Sequence, residues 1–199
     1  FEAEYQAYVS ELVKTFTASR PPALPDLKTA EAKYKADKDD LQAADDYAFA
    51  LARTRRMPQA RVIADQVLKR DPKRPLSNVV VALMEARTKR AEVVERLVSL
   101  RNEGVTHREL LVVLCRLAAQ GEQWDVLLDT AQLGRRNAPR DAFFLTAAAK
   151  ACEELHQQGP QMEILESLVQ LDQDDPAARR KLARQKMTAS EAASARTWA

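Results

Sequence analysis

The side chains that could do chemistry are few. Two histidines occur, His107 and His156, and a histidine-based metal site or general base needs carboxylate or thiol companions at matching positions. None is placed beside either. The two cysteines, Cys115 and Cys152, sit inside apolar stretches with no regular spacing, which predicts reduced core residues rather than a disulfide framework or a zinc site. Adjacent carboxylates at Asp45-Asp46 and Asp174-Asp175 read as helix-start or turn residues. No Gly-rich phosphate loop, no Gly-x-Ser-x-Gly elbow and no calcium loop is written in the chain. The sequence therefore predicts no catalytic residue, no metal and no cofactor, and a non-enzymatic role for this stretch of chain.

Charge carries more information. Between Arg53 and Arg108 there are fourteen basic and six acidic residues, although the whole chain carries a net charge of only +2. Such a block attracts acidic partners. It holds no Phe, Tyr or Trp, however, since none lies between Phe49 and Trp124. Single-stranded nucleic acid would find no stacking platform there, so an acidic protein or peptide is the expected partner ahead of RNA.

The elements that position these charges are helical. Of 199 residues 46% are apolar and only 6% aromatic, with four glycines; Ala, Leu, Arg, Glu, Lys and Gln dominate, which favours helix over strand. Residues 1–16 form an amphipathic pattern, with Tyr5, Tyr8 or Val9, Leu12 and Phe16 on one face. The Pro-rich run Ser19-Arg-Pro-Pro-Ala-Leu-Pro25 ends it, giving a boundary between 1–25 and a main domain at 26–199. A helix is expected at 27–38. Helix pairs come next at roughly 41–54 with 57–70, 75–88 with 90–102, 107–120 with 122–136, and 142–156 with 160–171. Pro72, Pro139 and Pro176 mark helix stops. Where a further proline is due, Gly104 ends one helix and Thr106-His-Arg-Glu109 reads as a capping box opening the next. His156-Gln-Gln-Gly-Pro160 reads as a longer loop. Two short helices, 177–186 and 188–198, would cap the end, the second opened by Thr188-Ala-Ser-Glu191.

The stretch Leu41–Pro72 resembles one unit of a tetratricopeptide repeat (TPR), with imperfect copies downstream at roughly 75–106, 107–141 and 142–176. Small residues at Ala48 and Ala60 stand where the paired helices must touch, and Pro72 where the second must stop. Ala48, Ala82, Cys115 and Ala149 occupy equivalent positions on the first helices; Tyr47, Met57 and Trp124 are near the family's large-residue positions. The resemblance implies an all-α, right-handed α-solenoid of about four antiparallel pairs that acts as a protein-binding scaffold. It places Phe49, Arg53, Val79, Leu83, Arg87, Val112, Arg116 and Lys150 along a peptide-binding groove, with Asp45 and Thr146 on the same stripe. The apolar members would give contact area and the cations would pair with carboxylates. The family's clamp for a terminal carboxylate needs Lys and Asn, where Asp45, Val79 and Leu83 stand instead. The segment Phe1–Leu12 is similar to the stretch after the gluzincin-type peptidase domain in some bacterial multidomain proteins. On that reading the chain is an accessory repeat domain that positions substrate, with the catalytic motif upstream of Phe1. No apolar run is long enough to cross a bilayer. Compartment stays open between cytoplasm and periplasm, as does homodimerisation through an exposed helix face.

Overall fold

The computed structural model describes residues 5, 6, 23–171 and 176–197. The expected N-terminal helix (apart from residues 5 and 6) and most of the proline-rich linker lie outside them. Among the described residues there are ten α-helices and no strand. The chain divides into two compact units, residues 1–80 and 81–199.

In the first unit, α1 (Leu27–Ala36) packs on α2 (Leu41–Arg53), and α2 on α3 (Met57–Arg70). Asp26 and Asp40 start α1 and α2 by accepting backbone N–H groups that the first turn leaves without partners, at 2.7 Å from Thr29 and 2.8 Å from Gln42. Tyr34 stacks on Tyr47 with ring centroids 5.2 Å apart. Ala48 and Ala60 are both fully buried, as close helix contact requires. The next helix, α4 (Pro75–Glu85), begins in this unit and shows why Asp45 is neither a helix-start nor a groove residue. Its N-cap position holds Arg74, which has no acceptor to offer. Asp45, buried on α2, supplies one from a distance: its carboxylate accepts from the Ser77 N–H and Oγ–H at 2.6 Å each and from the Leu76 N–H at 3.2 Å. Asp45 is therefore an N-cap delivered by another helix. Burial pushes its carboxyl above the usual carboxylate range, and the bonds from Ser77 and Leu76 oppose that rise.

The second unit contains the end of α4, then α5 (Arg90–Asn102), α6 (Arg108–Gln120), α7 (Trp124–Asn137), α8 (Ala142–Glu154), α9 (Gln158–Leu171) and α10 (Pro176–Thr197). From α5 onward each helix packs on the next, and α6 also touches α8. First helices of successive pairs thus meet, with the second helix of the earlier pair between them in sequence. Leu97, Leu110, Leu114, Leu127, Phe144 and Leu165 fill this core. Ala82, Cys115 and Ala149, expected at helix crossings, are buried. Gly134 on α7 lies directly against the Phe144 ring of α8.

Four helix ends share one solution. After α2, α5, α6 and α8 the chain enters the left-handed region at Arg55, Gly104, Glu122 and His156. At each, two backbone N–H groups reach back to carbonyls of the last turn, as in Val105 to Leu100 at 3.0 Å and Gln123 to Ala118 at 2.9 Å. This is the Schellman closure, which glycine normally fills. Only Gly104 does so here.

Four local expectations are corrected. His107, not Thr106, caps α6: its Nδ1 accepts from the Glu109 N–H at 3.2 Å. Helix α4 stops at Glu85, and residues 86–88 form a turn. Helix α9 begins at Gln158, because Gly159 and Pro160 fall in the first turn, where a missing amide donor costs nothing. The two expected capping helices are one, α10, continuous through Thr188. Its Ala, Arg and Lys content sustains helix across the expected break.

Candidate functional site

Helix α8 presents Phe143, Thr146 and Lys150 at i, i+3 and i+7, a spacing that puts them on one stripe. At one end of that stripe the Arg116 guanidinium of α6 lies 5.7 Å from the Phe143 ring centroid, and at the other the Lys150 ammonium lies 5.5 Å from that of Trp124. Both are cation–π distances. The stripe then opens into a cleft of about 550 Å³ between α8, α9 and α10. Its floor is apolar: Ala149 from α8, Leu165 and Leu168 from α9, and Ala177 and Ala178 from α10. Its rim is basic, with Lys150 facing Arg180, Lys181 and Arg184.

The order of the sequence explains both features. Pro176 starts α10 as a first helix would start, so its early turns approach α8 and α9; alanine at 177 and 178 leaves space where larger side chains would fill the contact. Lys181 and Arg184 follow Ala177 at i+4 and i+7, on the same face. Two rim cations have acidic neighbours on α8: Lys150 bonds to Glu154 and Lys181 to Glu153. The Glu154 carboxylate holds the Lys150 ammonium above its usual range. These pairs are solvent-exposed, and such pairs contribute only about 0–1 kcal/mol. An incoming carboxylate could exchange with either.

The groove residues read from the sequence divide by exposure. Arg53, Arg87, Arg116 and Lys150 are exposed, and Leu83 is 45% exposed. Phe49, Val79 and Val112 are buried, at 7%, 1% and 5% exposure. Their apolar stripe belongs to the core, so they do not offer the contact area expected of them. Phe49, Arg53 and Val79 lie in the first unit and Leu83, Arg87, Val112, Arg116 and Lys150 in the second. Within the second, the Phe143 stripe links Arg116 to Lys150. The sequence reading missed Leu165, Leu168, Arg180, Lys181 and Arg184, because it looked only to first helices and took residues after 176 as a cap, and it passed over Phe143 on α8 although Thr146 and Lys150 of the same helix were assigned. The signal was Pro176 itself, recurring near the repeat period after Pro139.

The other reactive side chains have structural surroundings. Burial pushes the Cys115 thiol up to about 12 and raises that of Cys152, which keeps both protonated and poorly nucleophilic at neutral pH. His107 caps α6 and His156 closes α8. Arg108 joins the starts of two helices, donating to Asp141 at 2.7 Å and to Glu109 at 2.8 Å, and Asp141 in turn caps α8 by accepting from the Phe143 N–H. The described residues contain no group of three His, Cys, Asp or Glu side chains able to hold a metal ion. No helix among them is long and apolar enough to cross a membrane.

No family model matches the chain, and no curated protein does. Solved structures do. The chain is similar to YrrB, a TPR protein with an unusual peptide-binding site, at 12% identity and a TM-score of 0.64, covering 84% of this chain and 86% of that one. It is similar to MamA AMB-1 at 14% identity and a TM-score of 0.60, over 77% and 85% of the two chains. TTC0263, a thermophilic TPR protein in Thermus thermophilus, matches at 11% identity and a TM-score of 0.56, over 81% and 89%. The all-α fold described above is thus a TPR-like helical-repeat fold.

Proposed function

We propose that the chain is a non-catalytic scaffold that binds a protein or peptide segment, and that its binding face in the second unit runs from Arg116 along the Phe143 stripe into the cleft of α8, α9 and α10. The observation that carries this reading is the pairing of an apolar floor with a basic rim in one 550 Å³ cleft. That volume falls in the range of ligand sites. Ala177 is the exposed apolar member of that lining, beside Leu165 and Leu168, which are already buried, while Lys150, Lys181 and Arg184 select a carboxylate-bearing partner by charge-assisted hydrogen bonds. The peptide-binding site of YrrB supports the same use of a related fold.

The experiment is affinity capture from source-cell lysate, comparing the chain with a folded Lys150→Glu, Lys181→Glu, Arg184→Glu variant. The proposal expects a specific protein retained by the parent and lost by the variant. Equal capture by both would contradict this cleft as the binding face.

A further inference from the structure

We infer that the second unit holds an oxyanion site built on Arg135 and Arg136, and that its ligand is a phosphomonoester dianion. The site shares no residue with the cleft of α8, α9 and α10 and does not depend on the role proposed for that cleft.

The two arginines come together because of where the sequence puts them. Gln132, Arg135 and Arg136 stand at i, i+3 and i+4 near the end of α7, a spacing that places them on one face. Helices α7 and α9 both pack on α8. A second cleft, of about 470 Å³, is lined by that face of α7 together with Pro139 of the α7–α8 connection, Leu145 of α8 and Ser167 of α9. Leu145 is 2% exposed, so the cleft has little apolar area to offer an occupant. What it presents is polar: two guanidinium groups, a side-chain amide and a hydroxyl, all able to donate hydrogen bonds. No lining residue is acidic. The Ser167 hydroxyl donates to the Glu163 carbonyl at 2.9 Å, a local bond that rotation can exchange for one to a ligand.

Other arginines of this unit are engaged by the fold. Arg90 donates to the Gln120 carbonyl, Arg96 to Glu85, Arg101 to Thr130 and Arg108 to Asp141. Arg135 and Arg136 make no hydrogen bond or ion pair among the described residues. The Arg135 charge opposes the burial that raises the Cys152 thiol of α8, so its guanidinium lies toward α8 rather than away from it. Two like charges side by side repel, and nothing on the lining neutralises them. A carboxylate brings a single charge. A phosphomonoester brings a charge of about −1.5 to −2 at neutral pH and three acceptor oxygens for the forked N–H groups. Cations in a last turn also suit the helix dipole, but that role asks nothing of Gln132 or Ser167.

The test is titration of the full chain with phenyl phosphate, followed by two-dimensional NMR of the backbone amides, and with phenyl sulfate, which has a similar shape and one charge fewer. Saturable shifts should centre on residues 132–139 and 167, and the sulfate should bind about tenfold or more weakly. Two variants, verified as folded by circular dichroism, remove the site from opposite sides. Arg135→Gln with Arg136→Gln deletes the cations, and Ser167→Asp sets a carboxylate against them from α9; each should weaken phenyl phosphate binding about tenfold or more. Arg55→Gln with Arg56→Gln, an adjacent exposed pair in the first unit, should leave it unchanged. A phosphoserine peptide that binds more tightly than phenyl phosphate assigns the ligand to a phosphorylated partner, and equal affinity assigns it to a free phosphate ester. Absence of saturable shifts, equal binding of phosphate and sulfate, or an equal loss in the Arg55 and Arg56 variant overturns the inference. The scaffold reading is untouched by that result, since its variants lie in the other cleft.

Discussion

Gly134→Ala should destabilise the second unit, although alanine is the better helix former. A Cβ built at Gly134 would lie 2.3 Å from Phe144 Cδ1 and 2.5 Å from both Cε1 and Cγ. Carbon atoms prefer about 3.5–4.0 Å, so the ring would have to retreat by roughly 1 Å or more. It has little room to do so: Phe144 is 1% exposed and is held edge-on by Phe143, with centroids 5.3 Å apart. Overpacking of this kind costs about 1–3 kcal/mol, and the three close contacts put it at the upper end. Replacing a mid-helix glycine returns about 1 kcal/mol. The net loss is about 2 kcal/mol, which for a chain of this length lowers Tm by about 5 °C. Thermal unfolding followed by circular dichroism reads it directly. In a Phe144→Leu background the ring is gone, and the same Gly134→Ala change should become neutral or stabilising. A single variant with raised Tm would show that Phe144 moves freely and that the tight α7–α8 contact is not there.

Glu122→Gly should stabilise by about 1 kcal/mol, since Glu122 holds a positive φ that glycine adopts without strain; chemical denaturation measures it, with Glu122→Ala as the control that gains nothing. Asp45→Ala should cost about 2–3 kcal/mol because it leaves the buried Leu76 and Ser77 N–H groups without an acceptor. The raised Asp45 carboxyl also has a pH signature. Its contribution to stability is fully present below the ordinary value of 3.8 and is lost as pH rises through the higher folded value; urea titrations across that window should show the slope in the parent and its absence in Asp45→Asn. Ala82→Leu should lower Tm through an overpacked crossing worth about 1–3 kcal/mol, as Ala82 is completely buried; an unchanged Tm would put the repeat register out of step.

Most helix starts and stops were legible because they rest on local signals. Pro72 and Pro139 stop helices through their own backbone chemistry, and Ala48, Ala82, Cys115 and Ala149, the small residues expected at helix crossings, are all buried. The helix bounds of the middle pairs consequently match the expected ranges closely. The departures came from interactions between residues distant in sequence. Asp45 looked like a surface carboxylate because its partners, Leu76 and Ser77, are about thirty residues away. Phe49, Val79 and Val112 were read as groove residues from helix position alone, which cannot tell a solvent-facing stripe from one that the core covers. The cleft was not legible at all, since it exists only where α10 returns against α8 and α9 and leaves the space above Ala177 and Ala178 unfilled. Lys150 alone of its rim was assigned in advance, from its place on a first helix.

The most direct measurement of the scaffold reading is selection of random twelve-residue peptides displayed on phage against the immobilised chain. Elution would be compared with that from the Lys150→Glu, Lys181→Glu, Arg184→Glu variant. The account predicts enriched sequences that combine acidic residues with apolar ones at helical spacing and that fail to bind the variant. Enrichment of basic peptides, or of peptides that bind parent and variant alike, would contradict it.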